Sequence, residues 1–514
     1  MKANFIKSFI YTCLGIFFLT GCEQDLPTRA DFSAYDYSGL DANGGNWTPV
    51  LIPDPGDIAV AVPEDVNSAP YQAELASLKS TMGNLTGAQR SAVAYWTNNP
   101  ALRWKEIAME LVAKYNLIPG PNEDNTYTLP NPATPEGPPP FPFAHPAYAV
   151  RVYAYMSVTQ FDGLITAWHY KYMYNRPAPY KVDNTIQPAY RQTDLPSYPS
   201  DGAVIAAASR DILSAMFPLE KEYLKAKADE HLASLVWSGT NVDSDVAAGE
   251  YIGAEVAKVA LARAATDGMK KAQCPKPVAD SIKQAAFERF GWKWENVEMP
   301  VRPVGLAPLY GKVKMWNIQN VEDVRPAVPP APGSAEFEAN VKELKDLQDN
   351  MTEEHRRIAN YWQDGLGTYT PPGHWDKFAL DFIIKNKLNP LRTARTFAYL
   401  DMAMMDAGIA CWDAKYYYHY PRPIQVIPGF KTIAGTPNFP SYTSGHSMFS
   451  AAGAEVLAYI FPAEAARVRA WAVEAAQSRV YGGIHWRFDA EVGTTTGIIV
   501  GNYSVERAKA DGAD

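Results

Sequence analysis

Within 75 residues near its C-terminal end, this chain of 514 residues lines up three segments rich in groups that bind or transfer charge. The first is Lys415-Tyr-Tyr-Tyr-His-Tyr-Pro-Arg422-Pro423. Seven residues make two helical turns, so Lys415 and Arg422 face one way until Pro421 and Pro423 stop the helix and release Arg422 into a loop. The second, Pro440-Ser-Tyr-Thr-Ser444-Gly445-His446, runs straight into an apolar helical stretch starting near Ser447. Small polar residues and a glycine at a helix N-terminus offer backbone N–H groups to an anion. The third is Ser478-Arg479-Val-Tyr-Gly-Gly-Ile-His485-Trp-Arg-Phe-Asp489. His485 and Asp489 stand four apart, neighbours on a helix face, which lets Asp489 hold the imidazole in one tautomer. Two arginines and a lysine balance an oxyanion carrying up to about two negative charges. One histidine supplies a lone pair to its central atom, and a second gives or takes a proton. Each residue alone is ordinary; the ordered set is not.

The elements that carry these groups are duplicated. Residues 150–172 and 394–416 align so that Tyr155/Tyr399, Asp162/Asp406, Trp168/Trp412 and Lys171/Lys415 all lie 244 apart. At the same offset 195–218 matches 439–462, and upstream Tyr95-Trp96 recurs as Tyr361-Trp362. Helical spacing covers Phe337–Gln363, Leu391–Tyr418, Ser447–Ile460 and Ala463–Ser478, while strand alternation is scarce. The expected fold is all-α, two packed helical bundles from an internal duplication. The bundles span 62–275 and 335–505, and a Pro- and Val-rich connection without helical period covers 276–334. The first bundle keeps Lys171, Arg176-Pro177 and Ser200 but has Asp201 and Gly202 where Gly445 and His446 stand. With the offset set at 240 beyond that point, Gly239 and Asp245 replace Arg479 and His485. Lacking both histidines, it is a degenerate copy.

The N-terminus reads as an address. Lys2 and Lys7, an apolar run from Phe9 to Thr20 and the ending Leu19-Thr20-Gly21-Cys22 predict a lipoprotein signal peptide over 1–21 with lipidation at Cys22. The product is an exported, membrane-anchored lipoprotein, periplasmic or on the cell surface, with a polar tether over 22–61. A net charge of −9 excludes broad nucleic-acid binding. Cys274 and Cys411 give no disulfide framework, and Cys411 sits in an apolar helix as a buried thiol. Oligomeric state leaves no mark in the sequence.

The three motifs resemble the signature of the superfamily that joins type 2 phosphatidic acid phosphatases to vanadium-dependent haloperoxidases. The resemblance covers about Thr352 to Gly501. It implies a haloperoxidase-like fold in which His485 is the vanadate ligand, or the phosphatase nucleophile, and His446 the acid–base residue. Lys415, Arg422, Ser444, Gly445 and Arg479 bind the oxyanion in that comparison, with Asp489 behind His485. The run His485-Trp-Arg-Phe-Asp489 resembles haloperoxidases, as does Tyr361-Trp362-Gln-Asp364-Gly365…Thr370-Pro371-Pro372, which makes Asp364 the expected partner of Arg479. Trp412 and Phe439 stand where relatives line a halide pocket, although Trp168 in the degenerate half fits a plain core role for Trp412. His374-Trp375 is placed at the entrance, and His419 behind the site. The implied activity is vanadate-dependent oxidation of halide by hydrogen peroxide. The alternative is an acid phosphatase acting on phosphate esters through a phosphohistidine. A third reading, a non-catalytic glycan-binding lipoprotein, fits the 30 Tyr and 13 Trp but not the ordered Lys/Arg/His set.

Overall fold

The computed structural model describes residues 34–514 except 98, 118, 119, 121, 125, 129, 132, 190, 191, 299, 300 and 434. The leader and Cys22 therefore lie outside the described residues. Among those described there are helices and no strands, as the missing alternation predicts. The first set is α1 (Ala69–Gly83), α2 (Gly87–Trp96), α3 (Pro100–Tyr115), α4 (Pro146–Tyr174), α5 (Asp201–Met216), α6 (Lys221–Trp237) and α7 (Asp243–Thr266). A linking helix, α8 (Lys276–Phe290), follows. The second set is α9 (Ala335–Asp349), α10 (Glu353–Tyr361), α11 (Thr370–Lys385), α12 (Pro390–Tyr418), α13 (Gly445–Ile460), α14 (Ala465–Tyr481) and α15 (Arg487–Lys509). No described helix is long and apolar enough to cross a membrane.

The two 29-residue helices α4 and α12 pack on each other at the centre, apolar or small on nearly every face and almost wholly buried. Each starts with proline, where the missing N–H costs nothing, and each ends on a left-handed residue, Asn175 and His419, both with φ of 50°. Around them α5 packs on α7 and α13 on α15. In α15 the glycines at 493, 497 and 501 let the helix approach the α13 backbone closely.

The repeat is deeper than its sequence trace. Arg151 and Arg395 each donate Nε to an aspartate, Asp267 and Asp511, at 2.7 Å. The indoles of Trp96 and Trp362 each donate to a glutamate, Glu230 and Glu474. Asp511 thus carries the second unit past the expected end at 505.

Three further expectations need correction. Described residues 34–61 are not a free tether: Trp47 is buried, and the Asp162 carboxylate accepts the backbone N–H groups of Val50, Leu51 and Ile52 at 2.6–3.2 Å. The connection behaves likewise, with Asp406 accepting from the amides of Trp316 and Asn317. Trp168 Nε1 donates to the Leu40 carbonyl and Trp412 Nε1 to that of Leu306, at 2.9 and 3.1 Å. Each unit is therefore preceded by an irregular strap that a buried aspartate and tryptophan pin to its long helix. The connection also holds α8, whose sole buried residue is Ala286, so it lacks the apolar stripe that periodicity detects. Helical spacing over 337–363 hides a break at Asn350–Thr352, where the Thr352 hydroxyl caps α10.

Candidate active site

The three motifs meet at the N-terminal ends of α13 and α15. Ser444 caps α13, its hydroxyl oxygen accepting the Ser447 amide at 3.3 Å, which leaves its own proton to donate. Gly445 and His446 are the first residues of that helix, so their amides have no intrahelical acceptor. The Ser444 amide donates to the Asp489 carbonyl at 3.0 Å, tying the start of α13 to α15.

Asp489 caps α15 by accepting the Trp486 amide at 3.1 Å. The same oxygen accepts from the Ser441 hydroxyl, and from His485 Nδ1 at 2.9 Å. The pairing expected at spacing four is present, but its geometry differs, because His485 lies two residues before the helix begins. With Nδ1 occupied, Nε2 is the ring nitrogen left for a ligand. Burial, then the charges of Arg422 and Lys415, keep the His485 imidazole well below its ordinary pKa, hence neutral. Burial pushes Asp489 up to about 6 against the pull of Ser441 and Lys415.

His446 is half-buried at the other end of the same group. Its Nε2 lies 3.3 Å from the Gln363 carbonyl, an acceptor, so Nε2 carries the proton and Nδ1 the lone pair. Burial and the nearby Arg479 hold it well below the usual histidine range.

Arg422 is fully buried, with Nε on the Phe439 carbonyl at 2.9 Å, Nη1 on the Ile484 carbonyl at 2.6 Å, and Nη2 without a partner. Arg479, in the last turn of α14, donates to the Ser478 hydroxyl and the Ala359 carbonyl. Burial lowers both guanidinium groups only to about 10, so both stay charged at neutral pH. Lys415 departs from expectation. Its ammonium donates to the carbonyls of Pro440, Ser441 and Thr443, committing all three donors to the loop ahead of Ser444. Lys171 does the same with Pro196 and Ser197 and adds Asp201 at 3.1 Å. The lysine is thus a clamp on this loop in both halves, and in the second it adds its charge from behind.

A cavity of about 130 Å³ is lined by Gly445, His446, Arg479 and His485, with Trp412 and Phe439 completing an aromatic wall. The rings of Trp412 and Phe439 lie 5.0 Å apart, and Phe439 sits 5.0 Å from the Lys415 ammonium and 5.1 Å from the Arg422 guanidinium. Pro146, Gln363, Gly365 and Pro371 also line the cavity, whereas His374 and Trp375, expected at the entrance, do not. Trp375 is core, its indole bonded to Ser450, and His419 meets the Trp294 amide away from the cavity. Asp364 pairs with His374 Nδ1 at 3.0 Å, not with Arg479, which it reaches only through its field. Cys274 and Cys411 are buried and free.

The degenerate half has a register that sequence alignment misplaced. The Ser200 amide donates to the Asp245 carbonyl, and Asp245 accepts the Val242 amide, as Asp489 does for Trp486. Asp245 is therefore the counterpart of Asp489, and Asn241 that of His485. The offset stays at 244, putting Leu235 opposite Arg479. Asp245 and Asp201 pair with Arg176 and Lys171, filling from within the charge that an anion would balance.

A family model described as PAP2 superfamily matches residues 397–510, the stretch that carries all three motifs. Among solved structures, a bacterial vanadium-dependent iodoperoxidase is similar at 24% identity and TM-score 0.57, covering 70% of this chain and 91% of its own. A bacterial vanadium-dependent chloroperoxidase is similar at 13% identity and TM-score 0.49, covering 74% of this chain and 96% of its own. No curated protein sequence matches. The fold is shared with the bacterial vanadium-dependent iodoperoxidase, and residues 397–510 match the PAP2 superfamily model.

Proposed function

We propose that the chain is a vanadate-dependent haloperoxidase-like enzyme, oxidising halide with hydrogen peroxide at the His446–His485 cavity. One observation carries the reading: a neutral imidazole, fixed by Asp489, has its free nitrogen available to a cavity that also holds a second neutral imidazole and a guanidinium. The residues fit a tetrahedral oxyanion. Arg422 has a buried N–H without a partner, and three buried cations against the Asp489 carboxylate leave an excess of positive charge. A cavity of about 130 Å³ also exceeds the roughly 30 Å³ share of one water several-fold.

Vanadate bound there supplies Lewis acidity that activates peroxide toward halide. The chain supplies the rest. His485 Nε2 donates its lone pair, and Asp489 keeps the proton on Nδ1. Arg422, Arg479, the Ser444 hydroxyl and the Gly445 amide hold the oxygens and offset their charge. His446 Nδ1 takes a proton from incoming peroxide and returns it to the departing oxygen. Trp412 and Phe439 exclude water beside a polarisable halide, and Lys415 holds the loop that presents Ser444. We further place the protein at a membrane through a lipid on Cys22, from the leader motif alone.

The deciding assay incubates purified protein with orthovanadate, peroxide and iodide. Vanadate-dependent formation of triiodide is expected. Rapid hydrolysis of p-nitrophenyl phosphate with no iodide oxidation would assign the same histidines to phosphoryl transfer instead.

A further inference from the structure

A cavity larger than the anion site lies elsewhere in the fold. It measures about 760 Å³ and lies where the start of α4 and the ends of α5 and α7 face the 302–307 segment. Phe143, His145, Tyr148, Met216, Cys274 and Leu306 line it. That volume falls in the range of small-molecule pockets, about 300–1,000 Å³.

Its chemistry narrows the occupant. The buried charged groups at its wall are already paired, Arg151 with Asp267 at 2.7 Å and Arg302 with Glu298, while Lys270 at its edge is exposed to solvent. No buried charge is left to call for an ion. His145 is different, because its Nδ1 is buried without a hydrogen-bond partner and its side chain takes no part in capping α4. Burial and the nearby Arg302 hold this imidazole near 3, so it is neutral at physiological pH, with one donor and one acceptor nitrogen. A neutral imidazole in the wall of a mainly apolar space, its side chain unused in capping, matches a molecule with one hydroxyl-like head and an apolar body.

The position adds a role. His145 lines this cavity and the next residue, Pro146, lines the anion cavity. Leu306 lines the large cavity, while its carbonyl accepts from Trp412, a wall of the small one. The two cavities therefore share a wall built from residues 145–146 and from Leu306 with Trp412.

We propose that the chain binds an apolar organic molecule bearing a single hydroxyl group in this cavity, headed by His145, as the acceptor of oxidised halide made next door. The word acceptor rests on the haloperoxidase reading; the binding site does not.

The test is calorimetric titration of the full-length protein with 4-ethyl-, 4-butyl- and 4-hexylphenol, and with hexylbenzene. Affinity should rise about fourfold for each methylene buried. His145→Leu should weaken 4-hexylphenol about tenfold and leave hexylbenzene unchanged, the loss of one buried hydrogen bond. Ala265→Trp, placed at the exposed rim, should abolish binding of both. Both variants should bind orthovanadate as the wild type does. Absence of saturable 4-hexylphenol binding, or binding indifferent to both substitutions, overturns the site. Phenol binding that persists in a protein without iodide oxidation would retain the site and remove only its role as acceptor pocket.

Discussion

Three glycines of α15 offer a test in which stability and anion binding should part company. A Cβ added at Gly497 would lie 2.7 Å from the Met448 carbonyl and 2.8 Å from the Ala451 Cβ. One at Gly501 would lie 2.8 Å from the Ala452 carbonyl, whereas one at Gly493 would meet the Ser444 carbonyl and Ser447 Cβ at 3.0 Å. The first two distances require α15 to move off α13, an overpacking that costs about 1–3 kcal/mol. Alanine returns about 1 kcal/mol of helix propensity at each site. Gly497→Ala and Gly501→Ala should therefore lose up to about 2 kcal/mol in urea unfolding, and Gly493→Ala close to nothing. Orthovanadate affinity should follow the opposite order. Gly493 touches Ser444, whose amide bonds Asp489, so a displacement of a few tenths of an ångström there moves two parts of the anion site against each other. Misplacement of about 1 Å can cost two orders of magnitude in a positioned site, so Gly493→Ala should weaken binding roughly tenfold. Gly501→Ala, two turns away, should leave it unchanged. Equal losses of affinity at 493 and 501 would refute the idea that this contact sets the site.

Lys415→Met should lower stability by about 2–4 kcal/mol, since three loop carbonyls lose their donor, and should weaken orthovanadate binding as well. Lys171→Met should show the first effect without the second; urea unfolding and titration of both variants separate them. Acid should destabilise the fold. His145, His231 and His419 sit near 3 and His446 and His485 well below their ordinary value, so below about pH 6.5 the unfolded chain takes up protons that the folded chain refuses. Asp162, Asp406 and Asp489, pushed up to about 6, act in the opposite sense and offset part of this loss. The net change from pH 7 to pH 6 is about 2 kcal/mol lower stability, and urea unfolding that shows a rise would contradict it.

What the sequence made legible is governed by short range. Lys415, Ser444, Gly445 and Asp489 are read from local spacing, because helix periodicity, the proline stops and the N-cap fix their neighbours. Of the two long helices, α12 is read almost to the residue, as Leu391–Tyr418 against Pro390–Tyr418, while α4 is marked through the repeat over 150–172. Contacts across the fold are less visible. Asp364 has two candidate partners, and His374, stacked on Trp362 at 4.8 Å, takes it from Arg479. The straps before each unit were read as tether and linker, since they lack helical period. Their recurring signal, Gly45 and Gly311 pressed against the backbones of His169 and Asp413, consists of one small residue apiece. The misplacement of Asp245 has the same origin: without a histidine at 241 to mark the register, only the backbone bond to Ser200 reveals it.

The central claim concerns one nitrogen. Orthovanadate titration of wild-type protein and of His485→Ala, followed by vanadium NMR or calorimetry, addresses it directly. Saturable binding of one vanadate per chain is expected, with at least about a hundredfold loss in the variant, whose fold should persist because Ser441 and Trp486 still occupy the Asp489 carboxylate. Equal affinity in the two proteins, or no binding to either, would contradict the account.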